Sequence, residues 1–501
     1  EITCRDWSSD VCSSDLLATF LYVTFTVIYL LIVCSTVLVI VLDNRQPVKT
    51  IAWILVVSSL PVLGLIIYFF FGRNHKKNVL SSRTCAIQLA RRSAYRYFRM
   101  QVPDIPEEHR QLINLFRRQS MAFPYPENQL NLYVRGQDLL SALIEDIRRA
   151  RHHIHLEFYI WEDDRVGNLV LDELARKVAE GVKVRVVYDD VGCWKVRNAF
   201  FERMKSKGIE VAVFMPVRFP KFTSKVNFRN HRKIVVIDGG IGYVGGMNLA
   251  DRYFYNQGNR LAWRDSHLRI EGSAVCGLQR AFLADWYVAQ EELITDACYY
   301  PSEFQFTGYV GDAMMRSGKS ALVQIVTSMP MNTWQDIMQG MVLALLRAKK
   351  YCFIQSPYFM PTDRLLYAMQ TAALSGVDVR LMIPERADTK LLTWASRSYL
   401  MDVMKAGVRV YLYQDTFLHA KTWVSDDSLS SCGSTNMDFR SLEHNFEVNA
   451  FIFDRKMALV MKRIFLEDQN KCRLLNLHSW EERSKWRHLG ESFIRLLSPL
   501  L

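Results

Sequence analysis

Two apolar runs open the chain. Residues 16–42 carry no charged side chain, and neither do residues 51–71. Each exceeds the ~20 residues that a helix needs to cross a hydrocarbon core. A secretory signal is too short to account for the first run, and a buried core helix is the competing account of the second. The pattern predicts a transmembrane helical hairpin over residues 16–72, with residues 43–50 as its short loop and a kink at Pro61. Past residue 128 the pattern changes to short β-rich runs alternating with helical periodicity. Leu139, Leu143 and Ile147 lead into the run Ile154-His155-Leu156-Glu157-Phe158-Tyr159-Ile160. Leu343 and Leu346 lead likewise into Phe353-Ile354-Gln355-Ser356-Pro357-Tyr358-Phe359. Gly181-Val182-Lys183-Val184-Arg185-Val186-Val187 matches Gly376-Val377-Asp378-Val379-Arg380-Leu381-Met382, and Gly208-Ile209-Glu210-Val211 matches Gly407-Val408-Arg409-Val410. This is an internal repeat with a period of about 190–200 residues. Each copy reads as α/β, helices covering a sheet, and two such copies should pack as a pseudo-dimer about a two-fold axis.

The expected organisation is an atypical polar lead (1–15), the hairpin (16–72), a basic juxtamembrane connector (73–127), a first α/β domain (128–300), a linker (301–319), a second α/β domain (320–479) and an amphipathic basic tail (480–501). The lead has no initiator Met and is given no function.

Both copies close on the same motif. The first has His231, Lys233, Asp238 and then Gly245-Gly246-Met247-Asn248; the second has His419, Lys421, Asp426 and then Gly433-Ser434-Thr435-Asn436. The shared template is H-x-K, four residues, D, six residues, G-[GS]-x-N. Each copy is half a site, and two halves supply two imidazoles and two ammonium groups. A phosphodiester is anionic and repels nucleophiles, so its cleavage needs charge neutralisation, a nucleophile and an acid for the leaving oxygen. One neutral imidazole can attack phosphorus while a protonated one serves the leaving alcohol. Lys233 and Lys421 suit the non-bridging oxygens. Asn248 and Asn436 add neutral donors, and Gly245, Gly246, Gly433 and Ser434 allow close backbone approach to a phosphate. An H-x-K on a strand would put His and Lys on one face. Asp238 and Asp426 then fall at strand ends, where bracing is favoured over phosphate contact. Asp265 and Glu447 are candidates for orienting the histidines. The pattern leaves the nucleophile open between His231 and His419, the longer basic loop before His231 weighing toward it.

Net charge is +12, which favours anionic partners, nucleic acid or acidic lipid. The cluster Arg73, His75, Lys76, Lys77, Arg83, Arg91 and Arg92 follows the hairpin, against only Arg45 and Lys49 in its loop. The positive-inside rule therefore places everything after residue 72 in the cytoplasm, the cluster against anionic headgroups. A loop with Arg218, Lys221, Lys225 and Arg229 among Phe219, Phe222 and Phe228 is either a solvated basic loop or one that guides lipid. The tail, with Trp480, Arg483, Lys485, Trp486, Arg487, Phe493, Ile494, Leu496 and Leu497, either lies in the headgroup region or packs on the soluble domain. Ten cysteines with no C-x-x-C pair argue for reduced thiols rather than a zinc site or disulfides.

The two motif copies resemble the phospholipase D superfamily. The hairpin, Gly72-Arg73-Asn74, the His155-to-Trp161 run, Ser356-Pro357-Tyr358-Phe359-Met360-Pro361 and the Ser498-Pro499-Leu500-Leu501 end are similar to the bacterial cardiolipin synthase family. The resemblance implies two tandem phospholipase D-like α/β/α repeats forming a pseudo-two-fold bilobal domain behind two transmembrane helices. It also implies metal-free, cofactor-free transfer of a phosphatidyl group between two phosphatidylglycerol molecules at the inner membrane, with no nucleic-acid partner. The family's catalytic positions fall on His231, Lys233, Asp238, His419, Lys421 and Asp426. A phospholipase D or nuclease of the same superfamily, and a silent membrane scaffold, are the rival readings. Two decoys stand beside the motif. Gly240, Gly242 and Gly245 form a G-x-G-x-x-G wholly inside the first motif. His153, His155 and Glu157 share one strand face with metal-ligand character, for which a structural or supporting role is expected.

Overall fold

The computed structural model describes residues 7–42, 47–60, 62–68, 104–217, 228–258, 260–301, 306–307, 315–318 and 320–498, with Gly72 and Leu89 between. Asp43, Arg45, Pro61, the basic cluster from Arg73 to Arg92 and the loop 218–227 lie outside the described residues. The chain divides into one unit of residues 1–77 with 218–227 and one of the remainder.

In the first unit, α1 (Trp7–Leu42) contains a 27-residue stretch, Leu16–Leu42, long and apolar enough to cross a membrane. Its apolar side chains are almost all exposed, as a lipid-facing helix requires. The second apolar run is not one helix. It forms α2 (Pro47–Ser59) and α3 (Leu63–Ile67), with Val62 between them at a left-handed φ of 62°. Ile40 of α1, Val57 of α2 and Tyr68 bury one another, and Trp53 meets Tyr68 edge to face at 5.5 Å. Among the described residues one helix, rather than two, has spanning length.

The second unit is a continuous mixed sheet with helices on both faces. Its first half contributes β1 (Tyr125–Tyr133), β2 (His153–Phe158), β3 (Lys183–Asp189), β4 (Glu210–Phe214), β5 (Ile234–Ile237), β6 (Ile241–Gly245) and β7 (His267–Gly272). The second half contributes β8 (Ala321–Ser328), β9 (Tyr351–Gln355), β10 (Asp378–Pro384), β11 (Arg409–Tyr413), β12 (Thr422–Ser425), β13 (Leu429–Gly433) and β14 (Asn445–Phe453). The spatial order is β1-β7-β6-β5-β2-β3-β4 in one half and β8-β14-β13-β12-β9-β10-β11 in the other. Each strand's counterpart is thus the seventh after it. The halves join where β1 and β8 pair antiparallel, Asn128 opposite Ala321, so a pseudo-two-fold axis passes between those strands. β2, β3 and β4 are parallel while β5 pairs antiparallel with β2 and β6, and helices on both faces bury these strands, which is why Val184, Val186, Val187 and Ile234-Val235-Val236-Ile237 run apolar.

Helices α4 (Gly136–Arg149), α5 (Arg165–Ala179) and α6 (Asn198–Ser206) cover one face of the first half. Leu139, Leu143 and Ile147 point into that core, as their spacing predicts. The opposite face is covered by α7 (Val275–Gln290), whose Phe282 stacks on His155 at 4.5 Å. The second half repeats this with α8 (Asp336–Arg347), α9 (Asp363–Leu374), α10 (Lys390–Arg397) and α11 (Leu400–Met404) on one face and α12 (Arg455–Gln469) on the other. In α8 the buried row is Ile337, Met341, Ala344 and Leu345, while Leu346 is exposed.

Candidate active site

The H-x-K triplets are extended lead-ins to β5 and β12 rather than parts of those strands, and each is pinned by the other half of the molecule. The backbone N–H of His231 donates to the carbonyl of Phe446 (3.0 Å), and that of His419 to the carbonyl of Arg264 (2.7 Å). Arg229 and Asn230 pair in parallel with Asn445 and Phe446, and Leu418 bridges Arg264. The residue after each accepting carbonyl is a carboxylate. Glu447 therefore meets His231 (Nδ1–Oε1, 3.0 Å), and Asp265 meets His419 (Nδ1–Oδ2, 2.6 Å). Each half-site is thus completed across the pseudo-two-fold axis. A carboxylate only accepts, so it favours an imidazole that donates from Nδ1 and turns its Nε2 lone pair to chemistry; at His419, Lys421 Nζ also lies 2.8 Å from Nδ1 and 3.2 Å from Nε2.

Both histidines line one cavity of about 470 Å³, with Tyr159, Asn248, Tyr253, Trp263 and Asn436 in its wall. Tyr159 abuts His231 edge to face at 5.0 Å. Tyr253 and Trp263 pack on His419 at 5.5 and 5.4 Å. Lys233 Nζ is held by the carbonyl of His231 at 2.6 Å, and Lys421 Nζ by that of His419. Neither Lys233 nor Lys421 is in the cavity wall itself, whose charged residues are Lys195, Arg229, Arg252 and Arg440 with Glu162, Asp388 and Asp438.

Burial sets the protonation of these groups. It lowers His231, with Lys233 adding to the effect, and drives His419 down to about 3 with help from Lys421. Burial brings Lys233 to about 7 and Lys421 to about 8. Burial alone would raise Asp265 and Glu447. Lys421 and His419 outweigh it for Asp265, and His231 and Lys233 for Glu447, so both carboxyls sit below their ordinary values. The site thus holds neutral imidazoles oriented by ionised carboxylates. An entering phosphodiester anion would favour the protonated imidazole and ammonium forms.

The other expected residues have different surroundings. Asn248 lines the cavity but is tied to the Ile160 N–H (3.0 Å) and the Tyr253 hydroxyl (2.9 Å). Asn436 donates to Asp438 (3.0 Å). Gly245, Gly246, Gly433 and Ser434 are not in the cavity wall; they lie against β7 and β14. A Cβ on Gly245 would come 2.5 Å from His267 Cα, on Gly246 2.2 Å from Asp265 Oδ1, and on Gly433 2.2 Å from Asn449 Oδ1. Gly246 makes room for the carboxylate beneath His419, and Gly245 and Gly433 allow the close approach of β7 and β14. Ser434 donates its hydroxyl to Glu447. Asp238 and Asp426 sit at the far ends of β5 and β12, in tight turns at φ 50° and 52°. Asp238 accepts three backbone N–H groups, from Arg151 (2.8 Å), His152 (2.8 Å) and His153 (2.9 Å). Asp426 does the same for Lys349, Lys350 and Tyr351 at 2.7, 2.8 and 3.0 Å. The geometry is that of a brace.

Glu157 accepts from the side chain of Asn230, the residue before His231, and so supports the H-x-K segment. Its carboxyl is held well above its ordinary value by burial and by Asp285. His153 and His155 face α7 instead of sharing a ligand set with Glu157. His153 Nε2 meets Gln279 Oε1 at 3.1 Å, and His155 Nδ1 meets Gln279 Nε2 at 2.9 Å. The G-x-G-x-x-G falls on the β5–β6 hairpin, with no helix start for a pyrophosphate. A Cβ on Gly242 would lie 2.7 Å from Leu278, so that glycine admits α7.

Sequence reasoning missed the arginines under the carboxylates. Arg232 Nε donates to the Glu447 carbonyl (3.1 Å) and pairs with Asp285 of α7. Arg264 Nη1 donates to the Asp265 carbonyl and its Nη2 pairs with Asp468 of α12, both at 2.6 Å. No local signal marks them; only the fold brings Asp285 and Asp468, from the matching helices α7 and α12, beneath the site.

The comparisons with known proteins agree with this duplication. A family model described as "Cardiolipin synthase, PLD-like domain" matches residues 143–286 and 341–469. A second, "Phospholipase_D-nuclease N-terminal", matches residues 27–73. The chain is 38% identical over 478 residues to a protein of Geobacillus kaustophilus (strain HTA426) named cardiolipin synthase, covering 93% of this chain and 92% of that one. It is 37% identical over 474 residues to one of the same name from Listeria innocua serovar 6a, covering 92% and 95%. Among solved structures, the phosphatidylserine synthase of Haemophilus influenzae Rd KW20 superposes with a TM-score of 0.58 at 16% identity, covering 79% of this chain and all of that one. That last likeness is one of fold.

Proposed function

The chain belongs to the cardiolipin synthase family of PLD-like proteins, and on that premise we propose that its cleft transfers a phosphatidyl group from one phosphatidylglycerol to another, releasing glycerol. The observation that carries this reading is the pair of oppositely completed half-sites, each with a neutral imidazole whose Nδ1 is held by a buried carboxylate. Nε2 of one imidazole attacks phosphorus. The P–O bond to the headgroup glycerol breaks as the second imidazole, protonated, gives its proton to the departing oxygen. A phosphohistidine remains. The glycerol hydroxyl of a second phosphatidylglycerol then attacks it and returns its proton to the second imidazole, giving cardiolipin. The two half-reactions are near mirror images, which suits a symmetric pocket. Lys233 and Lys421 balance the charge of the non-bridging oxygens, and the aromatic rings beside the histidines keep water away.

The apolar helix α1 and the basic residues after residue 72 support attachment to the bacterial cytoplasmic membrane with an inward-facing catalytic unit, and a second span rests on the uncharged run of residues 51–71 alone.

Purified protein in phosphatidylglycerol vesicles tests the reaction. Cardiolipin with an equimolar amount of glycerol is expected, lost in His231→Ala and in His419→Ala. Phosphatidic acid as the sole product would instead make the enzyme a hydrolase. Alkaline-quenched mass spectrometry of each variant should find the phosphorylated histidine in the one that keeps the nucleophile.

A further inference from the structure

Helix α13 (Lys485–Arg495) is docked with its polar side inward. Glu491 is buried, its carboxylate gripped by both Arg483 nitrogens, Nη1 at 2.8 Å and Nη2 at 2.9 Å. Arg495 reaches Asp402 at 2.8 Å and lies over the Tyr399 ring at 4.1 Å. Ile494 alone of the helix's large apolar side chains packs against the second half's core. The opposite row faces solvent: Trp486 is 81% exposed, Leu489 61%, Phe493 65% and Leu496, just past the helix, 75%. Their spacing of three, four and three is that of one helical stripe. A soluble helix buries such a stripe; this one buries the Glu491 carboxylate against Arg483 and presents the stripe.

The apolar row continues onto α10. A Cβ on Gly490 would lie 3.6 Å from the Trp394 ring, and Trp394 and Leu391 are themselves half-exposed. Leu392, the next residue of α10, lines the catalytic cavity, whose wall also includes the exposed Trp194. Helix α10 thus reaches from the stripe of α13 to the cavity wall. Lys485 and Arg487 are exposed beside Trp486.

We propose that the outward face of α13, continued by Leu391 and Trp394, is an interfacial docking surface that seats the cavity on an anionic bilayer. The inference rests on the lipid-transferase reading above. Tryptophan, leucine and phenylalanine in one stripe with flanking cations match the boundary between acyl chains and acidic headgroups. The continuity with Leu392 gives the surface its use: a lipid that must bring its phosphate to His231 and His419 can leave the bilayer without exposing its chains to water. A second copy of the chain is the other possible occupant of the stripe, and the exposed cations beside it favour the bilayer.

The test uses the full chain in vesicles of phosphatidylglycerol and phosphatidylcholine, with Phe493 replaced by the photoreactive p-benzoylphenylalanine. Irradiation should give a phospholipid adduct at that position and none when the probe replaces Glu202 of α6. A cross-link to a second copy, or no adduct, would overturn the proposal. The combined variant Trp486→Ser, Leu489→Ser, Phe493→Ser should turn over vesicle phosphatidylglycerol roughly ten-fold more slowly. Its turnover of monomeric short-chain phosphatidylglycerol should be unchanged. Equal loss on both substrates, or on neither, would also overturn it. Were the unsubstituted protein to make no cardiolipin, the transferase reading would fall while the lipid adduct remained a separate readout.

Discussion

Glu447→Gln is the sharpest probe of the crossed half-sites. The substitution keeps the shape of the side chain and removes its charge. In the folded protein Glu447 is fully buried, accepts from His231 at 3.0 Å and from the Ser434 hydroxyl, and stands 216 residues from its histidine. A hydrogen bond to a charged group contributes about 1.5–3 kcal/mol, so its loss in the transition state predicts roughly a ten- to 150-fold drop in rate. The amide can also turn its NH2 toward Nδ1 and impose the wrong tautomer, and the corresponding change in a Ser-His-Asp protease costs about 10⁴. The expected window is therefore about 10 to 10⁴, carried by kcat. The melting temperature should fall, because His231 and Lys233 hold the Glu447 carboxyl below its ordinary value and its charge therefore stabilises the fold at neutral pH. The assay is cardiolipin formation in phosphatidylglycerol vesicles, with kcat and KM resolved. A second measurement isolates the coupling: His231→Ala with Glu447→Gln should lose little more than His231→Ala alone, since both act through one imidazole. A rate within two-fold of the parent protein, or a double variant whose losses multiply, would refute the pairing.

Further outcomes follow from the same geometry. In the free enzyme Lys233 titrates at about 7 and Lys421 at about 8, and the cationic forms exist below those values. An anionic substrate needs them, so kcat/KM should fall as pH rises through 7–8; a profile flat to pH 9.5 would exclude this. Gly246→Ser forces a Cβ to within 2.2 Å of Asp265 Oδ1 and should abolish turnover, while Ser434→Gly deletes one hydrogen bond to Glu447 and should cost about ten-fold or less; the reverse ranking in a vesicle assay would count against the packing argument. Asp238→Ala strips the acceptor from three backbone N–H groups and should lower stability by about 2–4 kcal/mol in denaturant titration, yet leave phosphohistidine formation in the folded fraction; a stable but chemically dead variant would restore a catalytic role. Chelator treatment should leave cardiolipin formation intact, and loss reversed only by added metal would contradict the two-histidine chemistry.

The lesson of the repeat lies in which contacts are local. His231 with Lys233 and His419 with Lys421 are two residues apart, and the strand that follows each is apolar, so motif, strand and α/β class can be read along the chain. Asp238 and Asp426 could be read as braces for the same reason, since a four-residue strand separates each from its lysine. Glu447 and Asp265 were legible as carboxylates near histidines but not as partners of particular ones. The pairing spans 216 residues in one case and 154 in the other, and it crosses between copies. Glycines 245, 246 and 433 read as phosphate cradles, because sequence cannot tell close approach to a ligand from close approach to a neighbouring strand.

By itself the sequence determined the duplication, the chemistry of each half-site and the apolar character of the N-terminal segment, all properties of neighbouring residues. Tertiary structure alone decided that β1 and β8 join the halves into one sheet, that each imidazole is oriented by the opposite half, and that the apolar stripe of α13 faces outward. Those outcomes depend on which surfaces meet. Burial then converted ordinary lysines and histidines into groups poised near or below neutrality, because desolvation acts on a side chain only once the other half of the molecule has closed over it.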